Sequence, residues 1–222
     1  MSDADDAGNP VHAGDRRLPF WSFLAFIVAA QALDLLIATR VSLGPVARDQ
    51  GIRRLIEWGE NLSNVLFAIT LVVAVAAELL KVRNRVITAA VGAYLALATI
   101  NLLENVVALV ATAELRQVER LALLWDVGLV YASTVIIFAL WYRLIDTEFE
   151  YPVFEFPQDP FRPGRAPGWM DYVFLSFNTN ATFGPTAEVV HGRSGKVLMM
   201  VQTVMSLLLL VVLLARIAGL GA

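Results

Sequence analysis

Trp169-Met170-Asp171-Tyr172-Val173-Phe174-Leu175-Ser176-Phe177-Asn178-Thr179-Asn180-Ala181 is apolar enough to enter a bilayer and too short to cross one. As a helix it rises about 20 Å, against roughly 30 Å of hydrocarbon. Thr182-Phe183-Gly184-Pro185-Thr186 follows, where glycine and proline together stop a helix. A polar link, 187–195, then leads straight into a long apolar run, 196–218. A short helix, a turn containing glycine and a return to the starting face describe a re-entrant loop. Irregular backbone at that depth survives only where protein or a water-filled cavity surrounds it.

The rest of the chain supplies the membrane. Of 222 residues 58% are apolar and 17% charged, against about 45–50% and about 25% in an ordinary soluble domain. Mean hydropathy is +0.64. Five stretches, 18–39, 61–80, 86–112, 121–142 and 196–218, are near the roughly 20 apolar residues a crossing needs. All are expected as helices, because lipid leaves unpaired backbone groups no partner and barrel strands would alternate with period two. Trp21, Trp58, Trp125 and Trp141 lie at or near the span ends, where interfacial tryptophans belong. The expected fold is an all-α integral membrane protein with five transmembrane helices plus the re-entrant helix 169–181 and a loop 182–187.

The flanking segments read differently. Residues 1–17 hold four Asp and two Arg among Gly and Pro, a disordered acidic tail. Arg16, Arg17, the run 20–30 and Ala30-Gln31-Ala32 imitate a secretory signal, but the apolar run continues to Ala38, so the first helix is expected to be retained. Segment 45–58 sets Arg48, Arg53 and Arg54 beside Ile52, Leu55, Ile56 and Trp58. That spacing predicts an interfacial helix that turns before span 61–80, within a three-helix domain 18–112. The connector 143–168 carries Pro152, Pro157, Pro160, Pro163 and Pro167, which forbid a continuous helix. Its acids, Asp146, Glu148, Glu150, Glu155 and Asp159, outnumber Arg162 and Arg165.

Several function classes fall away. The chain has no cysteine, and its two histidines are His12 and His191. Disulfide frameworks, thiol catalysis, iron–sulfur clusters and multi-histidine metal sites are excluded within one chain. A net charge of −3 and a pI near 5.4 argue against nucleic acid as a partner. No nucleophile–base pair or metal set is visible, so neither an enzyme nor a cofactor is expected.

Asp171-Tyr172-Val173-Phe174-Leu175-Ser176-Phe177-Asn178-Thr179-Asn180-Ala181-Thr182-Phe183-Gly184 resembles the pore helix and filter of potassium-channel-like pore-loop proteins, the two-helix potassium channel (ion transport 2) family. The run 195–216, with Gln202 and Ser206, is similar to their inner helix, Ser206 standing where many relatives have a hinge glycine. The resemblance covers about residues 121–218: outer helix 121–142, turret 143–168, pore helix 169–181, filter-like loop 182–187 and inner helix 196–218. It implies a homotetramer in a plasma membrane that conducts a monovalent cation such as potassium or sodium. The implied filter is Thr182, Phe183, Gly184, Pro185 and Thr186, with Asp171 and Glu188 at the pore mouth. Against the family pattern Thr-Val-Gly-Tyr-Gly-Asp, Phe183 replaces the aliphatic residue, Pro185 the aromatic, Thr186 the second glycine and Ala187 the acid. Proline fixes φ near −65° and threonine resists positive φ. Carbonyl rings of the family type are therefore expected at most over 182–184, which predicts weak selectivity.

A second constellation follows from alternating crossings. Asp34, Glu60, Glu104 and Asp126 all fall towards one leaflet, with Asn61, Asn101 and Asn105 beside them. Glu104 is the deepest, while Arg40, Arg54 and Arg120 can reach the shallower acids from the interface. Two readings stand: a proton or cation site of a transporter, since intramembrane ionisable groups are expensive and usually functional, or a hydrogen-bonded network that fixes helix register. A non-conducting membrane subunit is the third alternative. No span carries an arginine ladder, which argues against voltage sensing of that kind. Orientation stays open. A family-like pore puts the turret outside, yet of the 17 Lys and Arg seven fall on the inner side and ten on the turret side, against the positive-inside rule.

Overall fold

In the computed structural model the described residues form six helices: α1 (Phe20–Arg40), α2 (Gln50–Leu80), α3 (Arg85–Ala111), α4 (Arg120–Glu148), α5 (Trp169–Asn180) and α6 (Arg193–Ala218). Two short strands, β1 (Phe154–Glu155) and β2 (Val189–Val190), flank α5. The structure describes residues 20–40, 50–80, 85–111, 120–148, 152–158, 160, 164–181, 184–185 and 187–218. The tail 1–17 lies outside them.

A helix that is apolar all round is buried all round, and α4 is the clearest instance. Ile137, Phe138, Ala139, Leu140 and Tyr142 are all buried, although together they cover its whole circumference. The reason is its position, since α1, α3, α5 and α6 all pack against it. Its core continues through Ile27 and Ile37 of α1, Tyr94, Leu95 and Leu102 of α3, and Met205 and Leu209 of α6. Between lipid-facing helices apolar burial supplies no drive, so close packing and interhelical hydrogen bonds hold such a bundle together. Those bonds are present. Trp141 Nε1 donates to Thr99 Oγ1 at 3.0 Å, and Thr88 Oγ1 to Glu148 at 2.7 Å. Gln31 Nε2 donates to Asn64 Oδ1 at 2.9 Å, and Tyr94 OH to Gln31 Oε1 at 3.3 Å, joining α1, α2 and α3.

Direction alternates along the chain. Arg40 at the end of α1 meets Asp126 at the start of α4, and Thr88 at the start of α3 meets Glu148 at the end of α4. Four described helices, over Trp21–Arg40, Ile87–Leu109, Leu124–Glu148 and Arg193–Leu214, are long and apolar enough to cross a membrane. In α2 the apolar part among the described residues is Asn61–Ala76, shorter than that.

Two boundaries differ from expectation by more than three residues. The interfacial segment does not turn before the second span: from Gln50 it is one helix with it. Gly59 alone costs a helix only about 1 kcal/mol, too little to break it without a proline. The outer helix runs to Glu148, beyond the expected end at Tyr142, because the first proline of the connector is Pro152 and residues 143–148 contain neither Gly nor Pro. Asp146 therefore belongs to α4, not to the turret.

Candidate functional site

The site is the excursion between the two strands. β1 and β2 pair antiparallel, Phe154 opposite Val190 and Glu155 opposite Val189, and His191 N donates to Val153 O at 3.0 Å. The chain that leaves at Glu155 thus comes back to its own starting point at Val189. Glycine makes the closure tight. A Cβ on Gly195 would lie 2.8 Å from Val153 Cγ1 and 3.1 Å from both Phe154 Cζ and Val190 Cγ1. His191 Nε2 and Glu155 Oε2, both exposed, meet at 2.9 Å across the ribbon.

Asp146 anchors that ribbon to α4. Its Oδ1 accepts from Val153 N at 2.8 Å and Phe154 N at 3.1 Å, and its Oδ2 from Tyr172 OH at 2.6 Å. One buried carboxylate so fixes strand, outer helix and short helix at once. Burial first, and the Asp146 carboxylate second, push the Tyr172 phenol well above its ordinary range, so it remains a donor. The Arg143 guanidinium lies over the same ring, 5.6 Å from its centroid.

α5 starts after Pro167 with a reciprocal cap. Asp171 Oδ2 accepts from Gly168 N at 2.5 Å, and Asp171 N donates to Gly168 O at 3.1 Å. Its first residue, Trp169, stacks on Phe26 of α1 at 4.5 Å between centroids and on Phe23 at 5.9 Å. Three polar side chains, Ser176, Thr179 and Asn180, then share a face at helical spacing. That face meets α4 and α6. Gln202 Nε2 donates to Ser176 O and Ser176 Oγ, both at 2.9 Å, while Gln202 Oε1 accepts from Tyr142 OH at 2.5 Å. A carbonyl only accepts, so the Ser176 backbone fixes which end of the Gln202 amide faces α5. Ser176 Oγ donates in turn to Val135 O at 2.8 Å. One turn further on, Ser206 Oγ bonds to the Asn180 side chain, and Asn180 Nδ2 reaches towards Tyr131 O at 3.5 Å, a long contact.

These contacts measure depth. Counted from the ribbon end at about 1.5 Å per residue, Tyr131 lies roughly 25 Å along α4 and Ser206 roughly 20 Å along α6. The end of α5 is therefore near the middle of both long helices, with the partial negative charge of a helix C-terminus there. Ala181 N closes the helix on Phe177 O at 2.9 Å. Beyond it Gly184 has φ +68°, the left-handed region that glycine enters without strain.

The expected site residues are distributed as follows. Gly184 is half-buried and Pro185 exposed, while Thr182, Phe183 and Thr186 lie outside the described residues. Asp171 caps α5. Glu188 is buried, with Oε2 accepting from Ala187 N at 3.3 Å. Gln202 and Ser206 face α5 from α6 and are buried. In the acid layer, Asp126 is 1% exposed and paired with Arg40 at 2.6 Å. Asp34 and Glu104 are half-buried on α1 and α3, and Glu60 lies on α2 with its side chain outside the described residues. Among the described residues no three of His, Cys, Asp and Glu converge as a metal-holding group. Sequence reasoning missed Tyr142, Asp146, Tyr172, Ser176 and Asn180 as site residues. The shared face of Ser176 and Asn180, matched by Gln202 and Ser206 at the same spacing, was the available signal.

No family model, no curated protein and no solved structure matches the chain.

Proposed function

We propose that this protein is a pore-loop channel of a plasma membrane, in which four copies bring together residues 182–187 as a weakly selective path for monovalent cations. The observation that carries the reading is the closed excursion: the β1–β2 pairing holds both ends of 155–189 together while α5 reaches mid-height between α4 and α6. The path from Ala181 to Val189 is long enough to climb back, about 26 Å when drawn out. Positive φ at Gly184 suits a backbone that turns carbonyls towards an axis, and the α5 C-terminus favours a cation beside it. One chain gives one loop, so a ring requires several copies. On this reading α2, antiparallel between α1 and α3, is a fifth crossing. The acid layer is the weaker ion site, since Arg40 already compensates Asp126.

Reconstitution in liposomes tests this. The parent protein is expected to pass potassium and sodium down a gradient. Thr182→Ala and Gly184→Val should change the flux, and Glu104→Gln should leave it intact. Within one chain a Cβ at Gly184 meets nothing within 4 Å, so there Gly184→Val acts through backbone strain at φ +68°. Flux that saturates, follows pH and is abolished by Glu104→Gln alone would instead support a transporter built on the acid layer. No flux under any gradient would leave a non-conducting subunit.

A further inference from the structure

The described part of α6 from Val197 to Leu214 has three polar side chains, Gln202, Thr203 and Ser206. Thr203 Oγ1 bonds within its own helix, to Met199 O at 2.9 Å. Gln202 and Ser206 reach outward to α5, although Ser206 Oγ also lies 2.8 Å from Gln202 O of its own helix. The two pairs, Gln202 with Ser176 and Ser206 with Asn180, are one helical turn apart on each helix, so they match in register.

We propose that the Tyr142–Gln202–Ser176 junction is a latch through which α6 holds the pore helix, and with it the loop after Ala181, in ion-passing alignment. Gln202 is on this view a positioning residue that acts through Ser176 and never touches the ion. The inference rests on the pore reading above. Apolar contacts tolerate sliding and rotation, whereas these bonds are directional. A shift of α6 by one residue, about 1.5 Å and 100°, removes both donors and the acceptor of Gln202 from their partners. Gln202, Ser176 and Tyr142 are all 0% exposed, so water does not replace what is lost. Because Ser206 grips Asn180, the last residue of α5, a displaced α6 carries the start of the loop with it.

A polar junction that only fixes register and one that aligns an ion path respond differently to apolar replacement. In the triple variant Tyr142→Phe, Ser176→Ala, Gln202→Leu the three side chains of the junction become apolar together, while Thr179, which also meets Tyr142, keeps its bond to Leu175 O at 2.8 Å. Stability is left nearly unchanged because no buried side chain is orphaned. The triple variant and Tyr142→Phe alone are reconstituted beside the parent, with thermal midpoint, oligomer size and the potassium-to-sodium permeability ratio as readouts. The expected result is a parent-like oligomer in both, a parent-like midpoint in the triple variant and a lowered one in Tyr142→Phe, where Gln202 Oε1 loses its donor. The permeability ratio should shift in both by roughly threefold or more, the scale on which one hydrogen bond biases an equilibrium. A parent-like ratio in a folded triple variant overturns the latch and leaves the pore reading intact. If the triple variant does not fold, an unshifted ratio in Tyr142→Phe overturns it equally. A parent protein that passes no ion overturns the pore reading, and the latch with it.

Discussion

At Gly195 the side chain that is missing matters more than any that is present. An added methyl would press on Val153 at 2.8 Å, in a ribbon whose neighbours Val153 and Phe154 are themselves buried. Gly195→Ala is expected to cost about 1–3 kcal/mol, as overpacking does. The added substitution Val153→Ala should return part of that loss, so thermal unfolding of the two single variants and the double gives a non-additive cycle. Asp146 offers a second test. Asp146→Leu leaves the Val153 and Phe154 amides and the Tyr172 hydroxyl without their acceptor and is expected to cost about 3 kcal/mol or more, on a scale of about 1–3 per orphaned buried group. Asp146→Asn keeps one acceptor oxygen and should cost less; equal losses would refute the anchoring role. Neither residue declared itself in the sequence. Asp146 looked like one of several turret acids because nothing local says that α4 continues past Tyr142. Gly195 carries no positive φ or turn signature, only a close approach that a linear reading does not contain. Asp126 was easier: alternation puts it on one side with Arg40, Arg54 and Arg120, and the structure adds that Arg40 is a partner.

Among the elements, α1 links the first three helices to the rest at both of its ends. Its first turns stack Phe23 and Phe26 on Trp169, and its last residue, Arg40, pairs with Asp126. The ion pair is lopsided, since Asp126 is 1% exposed and Arg40 38%. Losing the guanidinium strips a buried carboxylate of this partner, while losing the carboxylate releases an arginine already near water. Arg40→Gln is therefore expected to destabilise more than Asp126→Asn. The loss should be about 1–3 kcal/mol, below the fully buried scale because the exposed side is screened. Chemical unfolding of the two single variants in detergent decides the order, and the reverse order would mean that Asp126 is sustained by something other than Arg40. The helices α1, α3 and α6 were legible to within about three residues because hydropathy over about 20 residues averages out local noise, whereas α2 begins at Gln50 and α4 ends at Glu148, well beyond their expected bounds. The two-residue strands were not, since period-two alternation cannot be detected over so short a length. Their pairing depends on contacts between residues 154 and 190 that no local pattern encodes.

For the molecule as a whole, the proposed pore depends on whether several copies surround one axis. The α5 face opposite the Gln202 contact carries Met170, Phe174 and Phe177, which are 72%, 52% and 49% exposed in the single chain. Inside a membrane lipid covers such side chains as readily as protein does, so exposure alone does not distinguish the two. Position does: these three lie on the short helix that, in a ring of pore loops, has another copy beside it. Cross-linking in mild detergent is expected to give a ladder ending at four. Phe174→Ser should shorten it, because each copy loses an aromatic packing contact. Val72→Ser, on an exposed position of α2 remote from the excursion, should leave the ladder as it was. Equal effects would place α5 against lipid, and a parent protein that cross-links only to itself as a monomer would remove the ring. Surface labelling of introduced cysteines completes the argument. Asp171→Cys and His191→Cys should both react from one side of a sealed vesicle, as the β1–β2 closure requires. Reaction from opposite sides would turn α5 and its return limb into a crossing, leaving no re-entrant segment for four copies to share.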